Sequence, residues 1–303
     1  GNRTTSLEHG NMVIYVTNPL NQYTSVRPHV IINSIPDAAP ASLPGEFFPE
    51  YDADGNETLV KTATGIWTVA YNAQNQATAF TKDTKRIECV YDYLNRRVEK
   101  TVYDGNTLVS RKRFIYVGYL QVAELDATNE TETASPILRK TYLWDPMESV
   151  ATRILAMSVF DEAGVYQEDL YYTHDLLKNT TALFGIQGGR RALYEYSPYG
   201  DIIKMEGNAA EINPFRFSSE YLDDDLGLVY YNYRYYNVLD GRWINRDPMA
   251  ENAGFNLYCF VSNKLSIDYL GLIELDNVLK QLKERLEKKA RAEAQQRLSL
   301  IHI

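Results

Sequence analysis

Three tyrosines, Tyr51, Tyr71 and Tyr91, stand twenty residues apart, and each opens the same kind of turn. Tyr51-Asp52-Ala53-Asp54-Gly55-Asn56 is followed by Tyr71-Asn72-Ala73-Gln74-Asn75 and then by Tyr91-Asp92-Tyr93-Leu94-Asn95-Arg96, with a partial copy at Tyr103-Asp104-Gly105-Asn106. The Asp or Asn side chain can bond the local backbone and hold the turn, while the aromatic ring packs on the next hairpin. Strand patterns lie between the turns, at Ile66–Tyr71, Gln76–Thr81 and Lys85–Tyr91. One strand-turn-strand unit cannot bury its own apolar face, so a fixed repeat of this kind must stack on its neighbours.

The hairpin pattern continues through Thr107–Gly118 and Tyr119–Asp126, a polar loop at Asn129–Ser135 and a strand at Arg139–Trp144. Residues 150–160 fit either helix or strand; the turn Asp161-Glu162-Ala163-Gly164 leading into Val165–His174 favours a strand. Two further hairpins follow. Thr181–Ile186 turns at Gly188-Gly189 into Arg191–Tyr196, and Pro198-Tyr199-Gly200-Asp201 turns into Ile202–Met205. Before the repeats, residues 1–50 read as irregular apart from a strand at Met12–Val16, because Pro19, Pro28, Pro36, Pro40, Pro44 and Pro49 deny ladder donors. After Leu272, Leu275, Val278, Leu279, Leu282, Leu286, Ala290 and Ala294 recur at helical spacing behind an N-cap at Asp276. Residues 277–297 carry seven Lys or Arg against three Asp or Glu, a basic helix on an acidic chain.

The densest stretch is 213–247. It reads as a short strand at Phe215–Ser218, an acidic turn at Asp223, Asp224 and Asp225 closed by Gly227, and a strand from Leu228 to Tyr236. In that strand Val229, Tyr231, Tyr233 and Tyr235 share one face, and Tyr230, Asn232, Arg234 and Tyr236 the other. A turn at Asn237–Gly241 leads to Trp243 and Ile244, and the strand stops at Arg246-Asp247-Pro248. Tyrosine suits such a strand, since its ring buries area and its hydroxyl finds a partner. A core or lumen-facing role is favoured over an exposed stripe that stacks carbohydrate.

Composition narrows the function classes. The net charge of -9 argues against non-specific nucleic-acid or anionic-membrane binding, and no apolar run is long enough to span a bilayer. Cys89 and Cys259 make neither a metal site nor a disulfide framework, and are expected as buried small hydrophobes. The four histidines lack ligand spacing, and no phosphate loop, zinc spacing or Ser-His-Asp order is present, so no cofactor or metal is expected. The chain begins at Gly1 without a visible signal peptide and is expected to be part of a longer protein. Leu298-Ser299-Leu300-Ile301-His302-Ile303 matches the translation of a transposon-end adaptor used in sequencing libraries, so the native C-terminus is expected to differ.

Tyr230-Tyr231-Asn232-Tyr233-Arg234-Tyr235-Tyr236-Asn237, Gly241-Arg242-Trp243, Asp247-Pro248 and Asn256-Leu257-Tyr258 together resemble the RHS repeat-associated core domain, over roughly Tyr142–Leu272. Tyr194-Glu195-Tyr196-Ser197-Pro198-Tyr199-Gly200 resembles the start of the core segment, and the upstream units resemble YD repeats. The resemblance implies an all-β fold: antiparallel hairpins spiralling into part of a hollow β-shell, with one C-terminal helix. It divides the chain into an irregular segment 1–50, YD-repeat strands 51–141, the core domain 142–272 and a variable segment 273–303. It implies a structural protein that closes a β-cage around its own C-terminal cargo, of polymorphic-toxin type, in bacterial competition. Such proteins are secreted or at the cell surface, and secretion-system or cell-envelope components are the implied partners.

The resemblance also implies chemistry. An aspartate in each of two motifs is implicated in self-cleavage; these map to Asp247 and Asp268, with Arg246 as an auxiliary group and the cut between Leu272 and Ile273. Two carboxylates forced close do not both ionise cheaply, so one serves as acid and the other as base. A single turnover on a pre-positioned peptide suffices. The chain departs from the pattern in having Asp268-Tyr269 where Asp-Pro is usual, and Asn263–Ile267 is about two residues short. Without the resemblance, Asp247 before Pro248 reads as a turn and Asp268 as a turn cap. The alternative function is a cell-surface adhesion or carbohydrate-binding YD-repeat module without catalysis.

Overall fold

The computed structural model describes residues 2–8, 11–28, 45–147, 153–250 and 255–260, and the short strands 268–269 and 273–274 by their backbone. The helix expected over 275–297, Pro36, Pro40 and the last six residues lie outside the described residues. Four sheets are present among the described residues. The first is β1 (Thr5–Glu8), β2 (Asn11–Thr17) and β3 (Tyr23–Pro28). The second is a ribbon that begins with β4 (Glu50–Tyr51), β5 (Glu57–Thr62), β6 (Gly65–Tyr71), β7 (Ala77–Lys82), β8 (Lys85–Tyr91), β9 (Arg97–Asp104) and β10 (Thr107–Val117). It continues with β11 (Leu120–Asp126), β12 (Ile137–Trp144), β13 (Ile154–Phe160), β14 (Tyr166–His174), β15 (Thr180–Gly185), β16 (Arg190–Tyr196) and β17 (Ile202–Glu206). The third is β18 (Tyr221–Asp223), β19 (Leu228–Tyr231), β20 (Arg234–Asn237) and β21 (Arg242–Trp243), and the last is the pair β22 (Asp268–Tyr269) and β23 (Ile273–Glu274). In the 14-stranded ribbon the spatial order is the chain order, an uninterrupted antiparallel meander that runs through the expected boundary at 141/142. No closed barrel forms among the described residues.

The repeat works through two contacts. Asp52 Oδ1 accepts the Asn56 N–H at 2.8 Å, Asn72 Oδ1 the Gln76 N–H at 3.1 Å, and Asp92 Oδ1 the Arg96 N–H at 3.1 Å. The residue before each donor adopts the left-handed conformation: Gly55 at φ 84°, Asn75 at 60° and Asn95 at 64°. Gly and Asn stand there because other side chains resist that conformation. The same turn recurs at Asp161–Val165 and Asp175–Asn179, where no period shows in the sequence. The tyrosine hydroxyls supply the second contact. Tyr71 donates to the Glu57 carbonyl at 2.9 Å and Tyr91 to that of Ala77 at 2.7 Å, the same reach of 14 residues. The Tyr116 and Tyr196 hydroxyls and the Trp144 indole N–H likewise donate to the carbonyls of Arg97, Thr180 and Gln121, over 19, 16 and 23 residues. Carboxamides then tie successive turns together, Asn56 to Asn75 at 2.8 Å and Gln76 to Asn95 at 2.7 Å.

After β17 the chain returns across the apolar face of the ribbon in reverse order. The Tyr194 hydroxyl of β16 meets the Ala210 carbonyl, and the Tyr172 hydroxyl of β14 meets Asn213 at 2.7 Å. Phe215 packs edge-on against Tyr142 and Trp144 of β12. Tyr221 lies against Phe114 of β10, Tyr235 against Phe80 of β7, and the Asn237 side chain donates to the Lys61 carbonyl of β5 at 2.8 Å. One hydrophobic core results, holding Val60, Trp67, Ile87, Met157, Leu170 and Leu183 of the ribbon together with Leu226, Leu228, Tyr230 and Ile244 of the returning segment. At about 25 cal/mol per Å² of apolar area, this face is the largest stabilising contribution to the fold.

Buried charge fixes the register of that packing. The Arg97 guanidinium, with its side chain 1% exposed, pairs with Asp223 at 2.7 Å and lies 4.6 Å from the Tyr230 ring centroid. Lys100 pairs with Asp223 and, at 2.8 Å, with Asp225, which Lys85 also holds at 2.7 Å. A second site places Lys112 at 3.1 Å and Lys140 at 3.5 Å from the buried Glu124, whose other oxygen accepts the Tyr221 hydroxyl.

Three sequence expectations are corrected. Leu228–Tyr236 is not one strand but a hairpin of β19 and β20, with Tyr231 opposite Arg234 and Asn232 at φ 38° in the turn. The tyrosine alternation runs through the turn unbroken because both faces of the hairpin are buried, so periodicity cannot mark where the strand ends. Phe215–Ser218 is a single bridge from Phe215 to Tyr221 followed by a 3-10 turn at Phe217–Ser219, where Ser218 and Ser219 take positive φ. Residues 1–50 hold the three strands β1–β3 rather than one, since the ladder ends before most of the prolines. The acidic turn closed by Gly227 forms as expected, and Asp223 and Asp225 in it also serve as ion-pair partners. The ribbon's N-terminal end is partly covered: the Glu57 N–H donates to the Ile244 carbonyl at 2.8 Å, and Val26 bridges Phe47. Cys89 is buried as expected, and Cys259 is half-buried.

Asp223→Ala would leave Arg97 without its buried carboxylate and Lys100 with one of two, a loss of about 3–5 kcal/mol; urea denaturation of the variant measures it. Acid should weaken the same contacts. Burial alone would raise both carboxyls, but Lys100 and Arg97 hold Asp223 below its ordinary range, and Lys140 and Lys112 bring Glu124 down to about 2. A depressed native carboxyl stabilises above its unfolded value and loses that contribution as pH falls. The urea midpoint is therefore expected to be steady near pH 6 and to fall progressively from about pH 4.3 toward pH 2.

Candidate functional site

Trp243 ends β21 beneath a second aromatic cluster, with Phe217, Val229, Tyr231, Tyr236 and Phe260 around it. The hairpin turn at Asn232 sends the chain back so that Arg234 lies over Trp243, its guanidinium carbon 4.1 Å from the ring centroid. Four residues past Trp243, Asp247 meets the same guanidinium: Arg234 Nη2 is 2.9 Å from Asp247 Oδ2, with the side chains 1% and 8% exposed. The other oxygen, Oδ1, accepts the Met249 N–H at 2.8 Å, and the Asp247 N–H donates to the Leu257 carbonyl at 3.0 Å. Burial pushes the Asp247 carboxyl above the ordinary aspartate value, while Arg234 and the Met249 N–H pull against that rise. A carboxylate held this way is rigid, desolvated and more basic than a surface aspartate.

Asp247 opens onto a cleft of about 390 Å³. The turns of two successive repeats supply its carboxamides Gln74, Asn75, Gln76 and Asn95, to which Asn245 and the Tyr233 ring add, with Asp54 of the preceding repeat turn and Arg246 also lining it. Arg246, expected as an auxiliary group, is exposed, and its Nη1 lies 3.5 Å from the Asp54 carbonyl. Its stem and the Tyr258 hydroxyl crowd Gly55, where a Cβ would come within 2.6 Å of that hydroxyl. Asp268 is described only as backbone, opposite Glu274 in the β22–β23 pair; its side chain, Leu272 and the Leu272–Ile273 bond lie outside the described residues. Among the described residues no three His, Cys, Asp or Glu side chains gather as a metal would need, and no helix is long and apolar enough to cross a membrane.

No family model matches the chain. Over 240 residues, 74% of its length, it is 28% identical to the double-stranded DNA deaminase toxin A of Burkholderia cenocepacia and spans 17% of that protein. It is 25% identical over 211 residues, 68% of its length, to the tRNA3(Ser)-specific nuclease WapA of Bacillus spizizenii, spanning 8% of it. Its fold matches the crystal structure of TcdB2-TccC3 without hypervariable C-terminal region at a TM-score of 0.55 and 19% identity, over 86% of this chain and 15% of that one. These likenesses agree with the resemblance of the tyrosine repeats and of residues 230–258 to RHS, or YD-repeat, proteins.

The sequence resemblance singled out Asp247 but not the cation beside it. Arg234 stood among four residues assigned to one strand face, and only the turn at Asn232 reveals that it faces Trp243 and Asp247. The tyrosine stripe weighed as a sugar platform is core: Tyr230, Tyr231, Tyr235 and Tyr236 are all buried, and of the hairpin's tyrosines Tyr233 alone reaches the cleft. Trp243→Ala removes the surface under Arg234 and most contacts of the second cluster. About 3–5 kcal/mol should be lost, read as a lowered urea midpoint together with reduced near-ultraviolet circular dichroism.

Proposed function

We propose that this chain is the closing part of a β-shell of polymorphic-toxin type, and that the chain beyond Leu272 is cargo which the shell encloses and releases by self-cleavage. The observation that carries this reading is the return of residues 209–247 across the apolar face of the ribbon. That path covers the ribbon with the segment that leads to Asp247. A deaminase toxin and a tRNA nuclease among the similar proteins support a toxin-type shell, and the fold shared with a TccC3-containing assembly supports association with further toxin components. The same relatives support a secreted, extracellular protein.

For the cleavage, Asp247 and Asp268 act as base and acid on the Leu272–Ile273 bond. Water loses a proton to one carboxylate and adds to the Leu272 carbonyl carbon. The C–N bond then breaks, and the Ile273 nitrogen takes a proton from the other carboxyl. One water is consumed and no cofactor is needed. The pinned carboxylate at Asp247 supports this assignment, since a fixed base spends little freedom on reaching the transition state.

A second reading is a surface module that binds carbohydrate without catalysis. The cleft favours it to a degree: carboxamides and one tyrosine ring suit hydroxyl-rich ligands. The two readings part on intact mass. A chain carrying a long C-terminal tag is expected to yield a product ending at Leu272, with Asp247→Asn and Asp268→Asn each slowing its appearance at least about a hundredfold. An uncut wild-type chain that shifts its tyrosine fluorescence on adding oligosaccharides would instead establish the binding module.

A further inference from the structure

We propose that the cleft between strands β10–β13 and Ile212 is a binding site for a small organic monoanion, a carboxylate on an apolar body, whose charged group is taken by Lys140 and Lys112. The inference is independent of the cleavage reading.

The site is built across adjacent strands. Glu124 of β11 stands directly opposite Lys140 of β12, and Lys140 directly opposite Val159 of β13, so the three side chains share one face of the ribbon. It is the face that the returning segment covers. Tyr221 lies against Phe114, which is opposite Glu124 on β10, and gives its hydroxyl to Glu124 at 3.3 Å. The cover is incomplete at this point. A cleft of about 360 Å³ remains, lined by Ser110, Lys112, Glu124, Lys140, Val159 and Ile212 among others. That volume suits a small ligand.

Charge in the cleft is unbalanced. Lys112 Nζ at 3.1 Å and Lys140 Nζ at 3.5 Å share a single oxygen, Glu124 Oε1, and the other oxygen takes the Tyr221 hydroxyl. Lys100, by contrast, reaches two carboxylates, Asp223 and Asp225. The other charges that face the two lysines are already answered: Asp126 by Arg139 at 3.7 Å, Asp224 by Arg216 at 2.9 Å and Asp223 by Arg97 at 2.7 Å. One ammonium charge is left over, and the Lys140 side chain that shares it is 15% exposed. Burial lowers the Lys140 amine from the ordinary lysine value; Glu124 opposes that lowering and Lys112 adds to it. A buried cation in excess is costly, and an anion from outside answers it without displacing Glu124. One excess charge matches a monoanion. A phosphate dianion would exceed it and meet Glu124 and Asp126 as like charges. Val159 and the 38% exposed Ile212 offer apolar surface to the body of the ligand.

Calorimetric titration of the chain with benzoate tests this, beside benzamide as the uncharged isostere and inorganic phosphate as the dianion. Benzoate is expected to saturate one site per chain, with benzamide and phosphate each weaker by about tenfold or more. Lys140→Met should weaken benzoate by about tenfold or more, and Lys140→Arg should restore most of the affinity. Both variants leave Glu124 with Lys112 and the Tyr221 hydroxyl, and a urea midpoint for each checks the fold. Ile212→Asp is the second variant: it changes an exposed side chain, keeps every cation, and should also weaken benzoate by about tenfold by bringing a like charge to the cleft. Benzamide binding as tightly as benzoate, or benzoate binding unchanged in Lys140→Met and Ile212→Asp, would overturn the proposal. Phosphate binding more tightly than benzoate would overturn the monoanion assignment, and a wild-type chain without saturable benzoate heat would overturn the site.

Discussion

Arg97 is the point at which the two halves of this structure depend on one charge. It rises from β9 of the ribbon, pairs with Asp223 at 2.7 Å, and lies within 5.1 Å of the Phe114 and Tyr221 ring centroids and 4.6 Å of that of Tyr230. Its own N–H donates to the Tyr230 hydroxyl at 2.6 Å. Aromatic faces accept a guanidinium, but only the carboxylate answers its charge, so the returning segment must arrive in one register or leave an ion stranded. Apolar burial supplies most of the energy of this packing and is indifferent to a shift by a residue. The ion pairs at Asp223 and Glu124 are not, and they turn a sticky face into a defined one.

The ribbon and the returning segment solve one problem from opposite sides. A meander of hairpins has an apolar face and two ends, and nothing in the repeat closes it. The chain covers that face with its own later residues, in the reverse of the order in which it laid the strands down. The Ile244 carbonyl then receives the Glu57 N–H, covering part of the N-terminal end with the same segment. The stretch that seals the ribbon is also the one that carries Asp247, so closure and the candidate chemistry share residues: Trp243 is at once core and the bed on which Arg234 lies.

The repeat turns were legible because their chemistry is local. An Asp or Asn, a left-handed Gly or Asn and a tyrosine are each placed by contacts within twenty residues, and the strands at 65–71, 77–82 and 85–91 fall within one residue of their sequence reading. The hairpin at 228–237 was not legible. Its alternation of tyrosines continues across the turn, and burial on both faces removes the polar side that would have marked a break. For the same reason Arg234 could not be told from its neighbours, although the resemblance of its motif marked Asp247.

The local structures are written in the chain: the turns of the tyrosine repeat, the antiparallel strands between them, and an aspartate set just after a tryptophan strand. Those follow from conformational preference and short-range hydrogen bonds, which travel with the residues. Which partners meet was settled by the folded chain as a whole. Arg97 with Asp223 is separated by 126 residues and Asn237 with Lys61 by 176, and Arg234 reaches Asp247 only after the chain has folded back on itself. Long-range pairing depends on how the whole ribbon bends and on where a buried charge can be answered, and neither is written in any short stretch of the chain.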